Sequence, residues 1–266
     1  MKKSLIALIM AFLLTLTLLC GCKSSRTDST EYIGIISAID NEIDFLLEEA
    51  VIERVDTVAD VEYHVGKLHD KPIVITRAGI GKIRAASGIT NMLDNYRISN
   101  VIFTGIAGGI ADGTEVLDEI VATRLLEHDY GIISNDGFVW RSGDPGFGNE
   151  AGVYYACDPK LVELAYNAAV EVVGEEHAFK GTIATGDQFV ANADYVKMLR
   201  DEYDAYACEM EGAAIAVVCI KYKTPFVVIR ALSDKADGNA HESYENFGDV
   251  AGDNSSRIVI KMLDSI

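Results

Sequence analysis

Glu209-Met210-Glu211 sets two carboxylates around a methionine, directly ahead of a proline-free, alanine-rich run to Cys219 that reads as a helix. The dipole of a helix N-terminus accounts for one acidic residue there. A second, at a junction of strand and helix where α/β sheets often hold ligands, calls for a further reason. Carboxylates in such a setting transfer protons or hold polar ligand groups. Three other places carry polar groups at the ends of apolar runs: Glu42, the Phe189-Val190 loop, and Arg230-Ala231-Leu232-Ser233-Asp234. An Asp such as Asp234 is by itself an ordinary cap or turn residue. Four such places together point to one site.

The elements that would position them alternate. Tyr32 to Ala38 is a short apolar run of buried-strand type, followed by helical periodicity from Glu42 to Glu48. Val61–Leu68 and Ile73–Ala78 read as strands around the turn signal Asp70-Lys71-Pro72, with a helix over Ile83–Asn95. Val101–Thr104, Ile120–Leu126, Gly181–Thr185 and Phe226–Leu232 read as further strands, and Leu161–Val173 and Val250–Leu263 as helices. His128 to Gly148 reads as a long glycine-rich loop, of the kind that tends to be functional. Ser233 to His241 reads as a polar loop. This alternation predicts an α/β fold: a mixed, largely parallel sheet with helices on both faces. Gly79-x-Gly81 and Gly105-x-x-Gly108-Gly109 fit neither nucleotide-phosphate fingerprint and suit tight turns approaching a small ligand.

The formal net charge of −18 argues against a nucleic-acid partner, which needs clustered Lys and Arg, and disfavours a highly anionic substrate unless a local basic pocket exists. Met1-Lys2-Lys3, an apolar run from Ser4 to Leu19 and Leu19-Cys20-Gly21-Cys22 describe a secretory signal over residues 1–21 with a lipobox-like end, placing an acyl group on Cys22. Residues 22–30 read as a flexible tether and 31–266 as one domain, lipid-anchored to the cell membrane outside the cytoplasm. An uncleaved membrane anchor is the alternative, but it has no need of the Gly-Cys ending. Cys157, Cys208 and Cys219 have no metal or redox spacing, and the five histidines form no ligand motif, so no metal is expected.

Ile33-Gly34-Ile35-Ile36-Ser37-Ala38 leading to Glu42, Gly79-Ile80-Gly81-Lys82, Thr104-Gly105-x-Ala107-Gly108-Gly109, Gly186-Asp187-x-Phe189, Glu209-Met210-Glu211 and Arg230-Ala231-x-Ser233-Asp234 occur in this order. The set resembles the 5'-methylthioadenosine/S-adenosylhomocysteine nucleosidases of the nucleoside phosphorylase superfamily. The resemblance implies a three-layer αβα fold, a homodimer, no cofactor, and hydrolysis of the N-glycosidic bond of an adenine nucleoside. It implies Asp234 as the acid that protonates adenine N7, oriented by Ser233, and Glu42 as the base that activates water, organised by Arg230. Glu211 would accept hydrogen bonds from the ribose hydroxyls and Met210 would pack against the sugar, with Glu209 and Ala78 also counted among the substrate-binding residues. Phe189 would stack on adenine while the Val190 backbone reads its edge.

A phosphorylase of the same fold must bind a dianion, which Ile39-Asp40-Asn41-Glu42 would repel. Arg77 and Arg84 lie nearby in sequence, one at a strand end and one starting a helix. Hydrolysis is therefore the better reading. A phosphorylase, or a non-catalytic nucleoside-binding lipoprotein, stays open as an alternative. The chain departs from the family in two places. Ala78 stands where a serine usually helps hold the water. Tyr244 aligns with an apolar aromatic that lines the 5'-alkylthio pocket.

Overall fold

β1 (Glu31–Ser37) is buried along nearly its whole length, as a continuous apolar run demands. The computed structural model describes residues 29–141 and 154–266, and Glu31–Ile266 form the folded unit. The expected signal, Cys22 and most of the tether lie outside the described residues. A 3-10 turn at Asp40–Glu42 leads into α1 (Asp44–Glu49), splitting the single helix expected over Glu42–Glu48. β2 (Val51–Val58), β3 (Val61–Leu68) and β4 (Lys71–Arg77) form a meander. Both of its turns place two consecutive residues at positive φ, Ala59-Asp60 and His69-Asp70, the backbone twist that two-residue hairpins need. β2 went unread in the sequence because its side chains are mostly exposed and carry no apolar alternation.

α2 (Lys82–Asn95) precedes β5 (Arg97–Phe103) and the short β6 (Ile106–Gly109), then β7 (Glu119–Glu127). The predicted irregular loop after His128 instead begins as a hairpin, β8 (Gly131–Ser134) with β9 (Gly137–Trp140), anchored by Trp140 Nε1–H donating to the Glu127 carbonyl (2.7 Å). The rest of that loop, to Gly148, lies almost wholly outside the described residues. The chain continues through β10 (Tyr155–Ala156), α3 (Pro159–Val173) and β11 (Ala178–Thr185). Next come α4 (Ala193–Tyr203), which was not anticipated, and β12 (Ala205–Glu209). α5 (Gly212–Tyr222), β13 (Phe226–Asp234) and α6 (Ala240–Leu263) complete it. α6 starts ten residues earlier than expected, and this matters for the site.

The sheet runs β10-β7-β11-β12-β6-β13-β5-β1-β4-β3-β2. β4-β1-β5-β13-β6 are parallel neighbours, as are β7-β11-β12; the antiparallel pairings join these blocks or extend the edges. β13 pairs successively with β5, β7 and β6, so β7-β11-β12-β6-β13 close on themselves at one end of the sheet. Helices pack in two sets, α2 with α5, and α6 with α1 and α3, giving the expected three-layer αβα fold. Every residue of β13 is buried. Its last two, Ser233 and Asp234, are thus held by core packing rather than by a loop.

Candidate active site

Glu42, Met210-Glu211, Ser233-Asp234, Phe189-Val190 and Tyr244 all line one cavity of about 390 Å³. That volume lies within the roughly 300–1,000 Å³ of small-molecule sites. Glu42 ends the turn after β1. Its Oε2 accepts the Ala38 (2.8 Å) and Ile39 (3.0 Å) N–H groups, and its Oε1 accepts the Ile106 N–H (3.0 Å). A Cβ on residue 105 would lie 2.5 Å from Oε1, so only glycine fits between β5 and β6. Burial raises the Glu42 carboxyl above its ordinary value, partly offset by the Arg230 charge and these three amides.

The two glutamates that flank Met210 have different duties. Glu209 Oε1 accepts from Thr185 Oγ1 (2.5 Å) and the Gly212 N–H, while Oε2 accepts from the Glu211 N–H (3.0 Å), the Gly212 N–H (2.8 Å) and Arg230 Nη2 (2.8 Å). Glu209 borders the cavity, and its oxygens bond the turn into α5, Thr185 and Arg230. Among the described residues the Glu211 carboxylate accepts one hydrogen bond, from the Gly81 N–H (2.8 Å). Gly81 sits at φ +96°, a conformation that favours glycine. Burial, then Glu209, lifts the Glu211 carboxyl to about 8; Glu42 adds to this, and Arg230 and the Gly81 amide oppose it.

Asp234 is buried at the end of β13, where Oδ2 accepts Ser233 Oγ–H (2.8 Å) and Oδ1 accepts the Ala236 N–H (2.7 Å). Burial raises its carboxyl, with the two hydrogen bonds opposing and Asp237 reinforcing the shift. A carboxyl so placed can retain a proton for a ligand in the cavity. Phe189 is 53% exposed and meets Tyr244 edge-on, ring centroids 6.5 Å apart. The cavity thus has an exposed aromatic rim and a buried carboxylate floor.

The phosphorylase superfamily matches residues 32–264. The chain is 36% identical to the 5'-methylthioadenosine/S-adenosylhomocysteine nucleosidase of Bacillus subtilis (strain 168) over 236 residues, 88% of this chain and 99% of the relative. The chain belongs to the phosphorylase superfamily and, within it, to these nucleosidases. Among solved structures it is similar to the Helicobacter pylori nucleosidase with butyl-thio-DADMe-Immucillin-A, at TM-score 0.80 and 31% identity, covering 90% of this chain and 100% of that one. It is also similar to a futalosine hydrolase mutant of Helicobacter pylori strain 26695, at TM-score 0.79 and 30% identity, covering 89% and 100%.

Two further residues singled out in the sequence take the following places in the structure. Arg230 Nη2 bonds Glu209, its Nη1 the Ile229 carbonyl (3.1 Å), and its guanidinium stacks on Phe103 (3.9 Å). It reaches Glu42 by charge alone. Ala78 does not line the 390 Å³ cavity; it packs against Gly88 of α2 and faces an adjoining groove of about 840 Å³ with Asp40 and Arg77. His241 and Gln188, which sequence reasoning missed, do line the cavity. His241 enters because α6 begins at Ala240, and nothing in Ser233–His241 signals that start: the N-cap, Asn239, makes no side-chain capping bond.

Proposed function

We propose that the cavity binds an adenine nucleoside of the 5'-methylthioadenosine or S-adenosylhomocysteine type and that the chain hydrolyses its N-glycosidic bond. One observation carries the assignment of roles. Three buried carboxyls raised by burial share the cavity, and Glu42 and Glu211 are linked by charge while Asp234 has only Asp237 as a charged influence. The pair suits the sugar and the attacking water; the lone acid suits the base. As the bond from the anomeric carbon to nitrogen breaks, its electron pair leaves with adenine and Asp234 gives a proton to N7. Water attacks the anomeric carbon and Glu42 takes its proton. Glu211 accepts hydrogen bonds from the ribose hydroxyls, and its charge favours the cationic transition state. Ser233 orients Asp234, Met210 packs on the sugar, and Phe189 stacks on adenine beside the Val190 backbone. Arg230 acts through Glu209.

Water rather than phosphate as nucleophile is supported by the state of the nearby arginines. Arg77 is paired with Asp40, Arg84 Nη1 bonds the Ile80 carbonyl (3.0 Å), and Arg230 is held by Glu209. Adenine release from 5'-methylthioadenosine, measured with and without phosphate, is the test. Equal rates are expected. A phosphate requirement with a ribose 1-phosphate product would make the chain a phosphorylase, and binding without release would make it a binding protein.

We also propose that the chain is a lipoprotein acylated at Cys22 and held at the outer side of the cell membrane, and that it forms a homodimer. Met1-Lys2-Lys3, the apolar run and Leu19-Cys20-Gly21-Cys22 support the first. Diacylation supplies the two chains that stable attachment takes. No helix among the described residues is long and apolar enough to cross a membrane. Cys22→Ala should abolish lipid labelling and release the protein or leave an unprocessed precursor; unchanged labelling overturns this reading. The exposed side chains of Ile83 on α2 and Ile133 and Phe138 on the β8–β9 hairpin support the homodimer, which light scattering would test.

A further inference from the structure

Behind the cavity lies a hydrogen-bonded ring that the reaction itself does not use. Lys82 Nζ donates to Asp129 Oδ1 (2.7 Å) and, more loosely, to Glu127 Oε1 (3.3 Å). The other Asp129 oxygen accepts the Asp187 N–H (2.9 Å), and Asp187 Oδ1 accepts the Lys82 backbone N–H (2.8 Å). The circuit therefore runs Lys82 side chain, Asp129, Asp187 and back to the Lys82 backbone. The Lys82 and Asp129 side chains are only 16% and 13% exposed, so this pair is shielded more than surface ion pairs are. Burial works against the Lys82 ammonium, but Asp129 and Glu127 outweigh it and keep it charged.

What the ring joins gives it a use. Gly81, one residue before Lys82, donates the one hydrogen bond that the Glu211 carboxylate accepts among the described residues. Gln188, Phe189 and Val190, directly after Asp187, line the cavity. Two loops that border the cavity, at Ile80 and at Gln188–Val190, are thus tied at adjacent residues to one carboxylate on a third segment, just after β7. We propose that Lys82 and Asp129 are positioning residues that, through Asp187, lock the Gly79–Lys82 turn to the Gly186–Val190 loop, fixing the Gly81 amide on the ribose carboxylate and Phe189 over the base. This rests on the nucleosidase reading above.

The consequences are specific. Without the latch the Gly81 amide drifts from Glu211, and ligand contacts made equally in the ground and transition states weaken; KM rises more than kcat falls. Glu211 also loses an amide that opposes its raised value, while Glu209 and Glu42 on one side and Arg230 on the other still act on it. The acidic limb of kcat/KM, which reports groups of the free enzyme, then moves to higher pH.

The test compares the intact chain with Lys82→Met, Asp129→Asn and Lys82→Arg, using 5'-methylthioadenosine as substrate and thermal melting as a check on folding. Lys82→Met should raise KM about tenfold, the scale of a sub-ångström loss of positioning. Its acidic limb should move up by about one pH unit, as for a carboxylate losing an amide partner. Asp129→Asn should do the same to a smaller extent, because its amide oxygen still accepts the Asp187 N–H. Lys82→Arg should restore both quantities toward wild type. A folded Lys82→Met enzyme with unchanged KM and an unmoved limb overturns the proposal, as does one whose only defect is a lower melting temperature. Failure of the wild-type chain to release adenine would instead overturn the nucleosidase reading, so the two failures are distinct.

Discussion

Glu211→Gln should make this protein more stable and less active, and the size of the gain should depend on pH in a defined way. The carboxyl rises from 4.5 to about 8 on folding, first through burial and then through Glu209. At about 1.4 kcal/mol per pH unit, an ionised Glu211 costs the fold on the order of 4–5 kcal/mol at the upper limit. Its place at the N-cap of α5 returns roughly 0.3–1 kcal/mol through the helix dipole, and relaxation around the site lowers the cost further. A net gain of about 2 kcal/mol for the glutamine variant is a reasonable expectation above pH 8, corresponding to about 4–8 °C in melting temperature for a domain of this size. Because the folded value is raised, the wild type holds its full stability below pH 4.5 and loses it as pH rises toward 8. The difference between the two proteins should therefore vanish near pH 4, grow through neutrality and level off above pH 8. Glutamine keeps an oxygen for the Gly81 N–H, so the lost activity would come from the missing charge at the sugar. Melting curves at a series of pH values, with adenine release at each, measure both effects. A variant that melts lower than wild type at pH 8, or keeps wild-type kcat/KM, would refute this account of Glu211.

Three other outcomes are expected. Asp234→Asn should lower kcat by about 10² to 10⁴-fold while inhibitor binding largely survives, as loss of a general acid does; a near-normal rate would put the acid elsewhere. The Tyr244 hydroxyl makes no hydrogen bond among the described residues, sits half-buried at the cavity rim, and is raised by burial and then by Glu42 and Asp249. If Tyr244 lines the proposed 5' pocket, a polar 5' group would give this hydroxyl a partner, and Tyr244→Phe should shift kcat/KM from adenosine toward 5'-methylthioadenosine about tenfold; an unmoved ratio would take Tyr244 out of specificity. Away from the site, Glu119 is fully buried in β7 with neither carboxylate oxygen partnered among the described residues, and its carboxyl is raised well above the usual range by burial and then by Asp118. Glu119→Leu should raise stability by about 1–3 kcal/mol at neutral pH, the cost of an unmade buried hydrogen bond, and a lower melting temperature would count against this.

The parts of the site legible in the sequence were those fixed by strand ends. Glu42, Glu211 and Asp234 each follow an apolar run long enough to be a buried strand, so core packing decides where each lies. What the sequence hid depended on side chains reaching across strands or on helices without a strong start. Arg230 and Glu209 belong to β13 and β12, which are separated by β6, and no local pattern says that they meet. α4 buries only Leu199 and Tyr203, too few for its periodicity to stand out.

The hardest question for the sequence was which of the two glutamates around Met210 faces the ligand. Their types and neighbours are alike, and both border the cavity. Hydrogen-bond capacity decides between them. An ionised carboxylate has about four acceptor positions. Glu209 receives four protein donors, from Thr185, Glu211, Gly212 and Arg230, and has none left to offer. Glu42 receives three amides, which leaves about one position, enough for a single water. Asp234 receives two, leaving room for a proton shared with a base nitrogen. The Glu211 carboxylate receives, among the described residues, only the Gly81 amide, and its remaining capacity would suit the two hydroxyls of the proposed ribose. The division of labour proposed for the carboxylates thus follows how much of each the protein has already used.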